Sequence, residues 1–124
     1  MRTVKQMLEE ANDAVPRITP GEARSLAQRA DVLFLDVREP NEVATTGKVP
    51  GALNIPRGLV EFRADPESPL HDAQFDRAKT IVAYCASGGR SALVGKTLKD
   101  MGYENVRNLG GFKGWVEAGG PVEK

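Results

Sequence analysis

The chain contains a single cysteine and a single histidine among its 124 residues. One cysteine excludes an intrachain disulfide and leaves Cys85 without a resolving thiol in its own chain. This fits a reducing cytoplasm, and a cytoplasmic location is the expectation. Charge of one sign is also missing: 17 basic residues face 17 acidic ones. A balanced chain gives no reason to expect nucleic acid or a membrane surface as partner. No apolar run approaches the length of a membrane span. The first ten residues, Met1 to Glu10, hold acids early and have no apolar signal core. What remains is the expectation of one ordinary domain with a real core.

The chemistry is concentrated in Thr80-Ile-Val-Ala-Tyr-Cys-Ala-Ser-Gly-Gly-Arg-Ser91. Thr80 to Tyr84 are β-branched, aromatic or apolar and predict a short buried strand. Ser87, Gly88 and Gly89 break that pattern, and a helix is predicted from about Ser91 to Met101. A strand, a Gly-rich turn and a helix form an anion cradle. Main-chain N–H groups point at one spot, and the helix dipole makes it positive. A thiol at the mouth of such a cradle is held as thiolate. A lone cysteine after an apolar strand is most often a small buried hydrophobe. A core cysteine, however, has no need of a Ser-Gly-Gly-Arg turn behind it. Cys85 is therefore read as the nucleophile.

Elsewhere, strands and helices alternate, which argues an α/β fold with a parallel sheet and right-handed crossovers. Val4, Met7, Leu8 and Ala11 predict an amphipathic helix over 3–12. Arg17-Ile18 could add a short strand. Thr19-Pro20-Gly21-Glu22 predicts a capping box with proline at the first helical position. The helix it opens carries Ala23, Leu26, Ala27 and Ala30 on one face. Val32 to Leu35 reads as a strand buried on both faces.

Asp36 and Arg38 follow at the strand end, where α/β proteins place their sites. They either help position the catalytic loop, or pair so that Arg38 meets Asp36 or Glu42 and pins the turn. The scaffold role ranks first. Pro40 to Thr45 is a short helix, and Pro50-Gly51 marks a turn before a short strand. The stretch 57–73 is irregular, with a helical turn near Gly58 to Arg63. Arg57, Arg63 and His71 in this stretch are read as surface groups, and no Cys–His pair is built on His71. A short helix is predicted over Ala73 to Ala78, a strand over Val106 to Leu109, and a last helix near Trp115, a core anchor. Gly95, inside the helix after Cys85, costs about 1 kcal/mol relative to alanine unless a neighbour must approach closely.

Four segments together resemble the single-domain rhodanese family of sulfurtransferases. They are Leu35-Asp-Val-Arg-Glu-Pro40 with Glu42, Gly47 to Pro56, Cys85 to Ser91, and Asn108-Leu-Gly-Gly111 with Trp115. Lys48 stands where the family commonly has histidine. The resemblance covers roughly residues 17–120. It implies a three-layer fold with a parallel sheet of about five strands, in a domain over 17–124 preceded by a helical extension over 1–16. It also implies a cysteine at the base of a shallow pocket that takes a sulfane sulfur from a donor such as thiosulfate. The persulfide then passes its sulfur to cyanide or a cellular thiol in a second half-reaction.

On this reading the substrate-binding groups are the loop residues Ala86, Ser87, Gly88, Gly89, Arg90 and Ser91, with Asp36 and Arg38 in support. Arg90 either pairs with donor anions or braces the loop. No metal or organic cofactor is required. The partners are small sulfur donors and acceptors, with a protein sulfur relay as a further option and a monomer or homodimer as the assembly. Two rivals stand beside this. A cysteine phosphatase or arsenate reductase shares the cradle, but its loop runs one residue longer between Cys and Arg. A non-catalytic binding module would keep the fold alone.

Overall fold

The computed structural model describes residues 1–27 and 29–124. Four parallel strands form the sheet: β1 (Val32–Asp36), β2 (Leu53–Asn54), β3 (Thr80–Cys85) and β4 (Val106–Gly111), in the order β2-β1-β3-β4. Six α-helices accompany them among the described residues: α1 (Val4–Ala14), α2 (Pro20–Leu26), α3 (Pro40–Thr46), α4 (Val60–Ala64), α5 (Gly89–Asp100) and α6 (Phe112–Glu117). A 3-10 turn over Arg57–Leu59 leads into α4. None of the helices is long and apolar enough to cross a membrane.

Alternation along the central strands divides the core into two layers. Leu33, Leu35, Ile81, Ala83 and Cys85 face one side, where Val15, Val60, Ala64, Val94 and Leu98 close over them. Phe34, Val82 and Tyr84 face the other, against Ala23, Phe112 and Trp115. Helices thus cover both faces, and the strands are apolar on both sides as a parallel sheet requires. Trp115 is the expected anchor: it is fully buried, lies edge-on to Phe34 at 6.1 Å, and its Nε1 donates to Pro121 O at 2.8 Å.

The sheet holds four strands rather than about five. Arg17 makes only an isolated bridge with Asn108, flanked by Asn108 N donating to Pro16 O and Ile18 N donating to Asn108 O. Pro16 has no N–H to extend the ladder, and Thr19 already caps α2. The capping box is as predicted, with Glu22 N on Thr19 Oγ1 at 3.1 Å and Thr19 N on Glu22 Oε1 at 2.8 Å. The helix stops at Leu26, so Ala23, Leu26 and Ala27 turn inward while Ala30 is left in an exposed turn.

No helix forms over Ala73 to Ala78. Asp72 and Asp76 accept hydrogen bonds from Gln74 N and Ala78 N, each at 2.8 Å, and these local turns compete with helical pairing.

The N-terminal helix is longer than predicted, and it lies along α5 with Ala11 and Val15 buried. Gly95 permits this approach, since a Cβ there would sit 2.9 Å from both methyl carbons of Val15. Replacing Gly95 by alanine normally gains about 1 kcal/mol of helix propensity. Overpacking against a buried β-branched side chain costs about 1–3 kcal/mol. Gly95→Ala is therefore expected to show no gain, with an unchanged or lower urea midpoint. A clear rise would show that Val15 yields freely.

Candidate active site

The chain crosses from one side of β1 to the other between β2 and β3, so the strand order reverses direction between β1 and β3. Open parallel sheets bind ligands outside the carboxyl ends of the strands at such a point. The two strands end here side by side, with Asp36 in register with Tyr84 and Cys85 following.

The loop after Cys85 curls back over its sulfur. Gly88 N donates to Cys85 Sγ at 3.0 Å, and Ser91 Oγ lies 3.4 Å from it. Gly88 caps α5 with φ +106°, a left-handed conformation that L side chains rarely adopt. Cys85 is fully buried, at 0% exposure, so the sulfur lies beneath the loop rather than open at its mouth. Burial pushes the thiol pKa up. The Ser91 hydroxyl and the amides of Ser91, Gly88 and Ser87 outweigh that, and the pKa falls below the usual thiol value.

Asn108 holds this loop from below. Its Oδ1 accepts from Ser91 Oγ at 2.8 Å and from Gly110 N at 2.9 Å, and its Nδ2 donates to Gly88 O at 3.3 Å. A register shift aims it there: Ala83 pairs with Asn108, but Tyr84 pairs with Gly110, leaving Leu109 as the extra residue. Such a bulge re-aims a side chain beside a site. Gly110 makes it possible with φ +95°, and a Cβ there would strike the guanidinium of Arg17. Sequence reasoning quoted Asn108 within a motif and gave it no role. The available signal was a polar residue inside an apolar strand, followed by two glycines.

The remaining charged groups form two braces. Arg38 meets Asp36 at 2.7 Å, donates to Thr46 Oγ1 at 2.7 Å and Gly47 O at 2.9 Å, and stacks on Phe112 with 4.5 Å to the ring centroid. Both partners of this ion pair are buried. Glu42, the other partner considered for Arg38, instead takes Arg90 in a two-pronged pair at 2.8 and 3.0 Å. That pair, helped by Glu39 N, pulls the Glu42 carboxyl down to about 2. It also raises the Arg90 pKa.

Arg57 and Arg63 pair with Glu61 and Asp72, and His71 makes no hydrogen bond to the loop among the described residues. A cleft of about 640 Å³ opens beside Ala86 and Ser87, bordered by Arg17, Thr19, Lys113 and Glu117. A second, of about 370 Å³, runs past Arg38, Thr46 and Phe112 and shares Ala86 and Lys113 with the first. Cys85 is not part of either wall.

This strand–loop–helix site lies within a segment, residues 19–118, that matches the model of the rhodanese-like domain. The chain belongs to the rhodanese-like family. It is 35% identical to a protein named sulfurtransferase from Allochromatium vinosum, over 81% of this chain and 86% of that one. It is 30% identical to the human thiosulfate:glutathione sulfurtransferase, over 82% of this chain and 94% of that one. A solved structure from Rhodopseudomonas palustris superposes with a TM-score of 0.93 at 43% identity, covering 99% of this chain and 96% of the other. That protein is described as of unknown function and a possible tyrosine phosphatase. Family and named relatives support a sulfurtransferase activity. Rhodanese relatives act on small sulfur donors and acceptors.

Two expectations follow from the site. The folded Glu42 carboxyl lies near 2 against an ordinary 4.5. Its contribution to stability is complete above the ordinary value and lost as pH falls from there toward about 2. Glu42→Gln should flatten the fall in urea midpoint between pH 6 and pH 3. Ser91→Ala should raise the Cys85 pKa, read as a rightward shift of the alkylation rate against pH.

Proposed function

We propose that the protein is a sulfurtransferase that carries sulfane sulfur as a persulfide on Cys85. The observation that carries this reading is the placing of the Gly88 amide at 3.0 Å and the Ser91 hydroxyl at 3.4 Å from one buried sulfur. The thiolate attacks the outer sulfur of a donor such as thiosulfate. A new S–S bond forms to Sγ, the donor's own S–S bond breaks, and sulfite leaves with the electron pair. An acceptor thiolate or cyanide then attacks the outer sulfur and Cys85 departs as thiolate. Charge and atoms balance in both halves, and the protein's own sulfur carries the transferred atom.

The loop residues Ala86 to Ser91 supply the donors that steady anionic sulfur in either state. A low-dielectric, pre-arranged set of N–H groups acts strongly on such charge. Arg90 braces the loop, since Glu42 already takes its guanidinium by both prongs. Asp36 and Arg38 pin the neighbouring turn through their buried pair and the bonds to Thr46 and Gly47. Asn108 is a positioning residue that fixes Ser91 and the Gly88 carbonyl. We read residues 1–16 as an extension in which α1 stiffens α5, and a reducing cytoplasm as the compartment that keeps the lone thiol available.

Incubation with thiosulfate should add one sulfur atom to Cys85 by intact mass, removable by cyanide. Cys85→Ser should lose that addition completely, and full transfer by that variant would sink the assignment. Hydrolysis of an aryl phosphate with no persulfide formed would favour the phosphatase. Asn108→Ala takes from Gly110 N its Asn108 Oδ1 acceptor, at about 1–3 kcal/mol, while Gly88 O keeps Ala92 N at 3.1 Å. It should lower the urea midpoint and also move the Cys85 pKa, because the Ser91 hydroxyl that donates to Asn108 Oδ1 becomes free to turn to the sulfur. A stability loss with an unmoved pKa would reduce Asn108 to a structural role.

A further inference from the structure

The thiol and the space that substrates can reach lie on opposite sides of one short piece of loop. Cys85 is 0% exposed, so no water-sized space touches it, inside the protein or out. A sulfur atom is larger than a water molecule, so the resting fold has no room for a second sulfur on Sγ. Both clefts stop at Ala86, which is exposed together with Ser87. These two residues roof the sulfur, and they are lightly fastened. Ser87 makes no side-chain hydrogen bond among the described residues, and Gly88 N on Sγ at 3.0 Å ties the tip to the sulfur. Firm anchoring begins at the next carbonyl. Gly88 O takes Ala92 N at 3.1 Å and Asn108 Nδ2 at 3.3 Å, Ser91 is fixed on Asn108, and Arg90 is fixed on Glu42. Beneath Ala86 lies Gly111, where a Cβ would meet Ala86 O at 2.5 Å, so no side chain there hooks the tip.

We propose that Ala86 and Ser87 form a lid that opens about Gly88 and Gly89, and that the transferred sulfur itself props it open. The inference rests on the sulfurtransferase reading. Loading forms a bond from Sγ to the donor's outer sulfur, the donor's S–S bond breaks, and sulfite leaves with the electron pair. The added sulfur takes the place of the Gly88 amide against Sγ and pushes the tip outward, toward the two clefts. The loaded protein thereby presents its outer sulfur to an acceptor. The discharged protein closes over the bare thiolate and shields it from oxidants and alkylating agents. Gly88 sits at φ +106°, where only glycine turns freely. A Cβ at Gly89 would meet nothing within 4 Å, so the chain swings there without collision. Hinges of this kind absorb a large change in φ and ψ at a few residues. The frame of α5, Asn108 and Glu42 stays in place, and Ser91 keeps its position beside the sulfur in both states.

The test follows amide hydrogen exchange by NMR in wild type, before and after loading with thiosulfate and removal of excess donor, with intact mass reporting the sulfur. Loading should speed exchange at Ser87 and Gly88 about tenfold or more and leave Ala92, whose amide bonds Gly88 O, unchanged. Cyanide should restore the slow rates, and Cys85→Ser should show no change with thiosulfate. A loaded protein whose Ser87 and Gly88 amides exchange as before overturns the prop. The lid is tested separately with iodoacetamide, at a pH where Cys85 and a free cysteine are both ionised. Cys85 should react at least about tenfold more slowly than the free thiolate. Gly89→Ala fits without a clash and narrows backbone freedom, so it should slow the reaction by a further factor of about two to five, with an unchanged or higher urea midpoint. Reaction at the free-thiolate rate, or a rate that Gly89→Ala leaves unmoved, overturns the lid. If thiosulfate loads no sulfur, the prop fails with the sulfurtransferase reading, and the alkylation contrast still decides the lid.

Discussion

At the carboxyl end of the sheet the arrangement turns on one buried sulfur and the hydrogen-bond donors set around it. Taking a thiolate out of water is costly, and burial alone would keep Cys85 protonated and inert. The loop reverses that balance by turning the Gly88 amide and the Ser91 hydroxyl toward the sulfur, at 3.0 and 3.4 Å. The same arrangement explains the glycine at the α5 cap, the placing of Ser91 one turn into that helix, and the polar side chain beneath both.

Around that centre the charged residues act mainly as mechanical parts. The Asp36–Arg38 pair is sealed from solvent and has further bonds to Thr46 and Gly47, so its geometry is fixed at several points. Breaking one side of such a pair leaves an uncompensated buried charge. The Glu42–Arg90 pair is half-exposed and more modest, but it joins the first turn of α3 to the first turn of α5. The turns after β1 and β3 are thereby held to each other, and the sulfur sits between them.

Much of this was legible in the chain itself. The β3–loop–α5 unit follows from an apolar run, a pair of glycines and a helical face. The α2 capping box was readable from Thr19, Pro20 and Glu22 alone, because a cap is a local device. The parts that were hidden are long-range. Nothing near Arg17 in sequence says that its neighbour will be Asn108, or that Pro16 will cut the fifth strand to one bridge. The burial of Cys85 depends on a loop path that local propensity does not set. Whether Arg38 would take Asp36 or Glu42 was undecidable from spacing, since both lie within reach of the same turn. The missing helix at Ala73 to Ala78 was a contest between helix propensity and Asp side chains that bond their own backbone, and the aspartates won.

The extra residue at Leu109 has a consequence for how β4 can vary. It lets Asn108 face the loop while Gly110 and Gly111 stay in step with Tyr84 and Cys85. Conservative exchanges along this strand alter one contact apiece. Deleting Leu109 would remove the bulge that aims Asn108 at the loop. Strand length is thus guarded more tightly than strand content, and insertions or deletions should be rarer here than in the 65–79 connection.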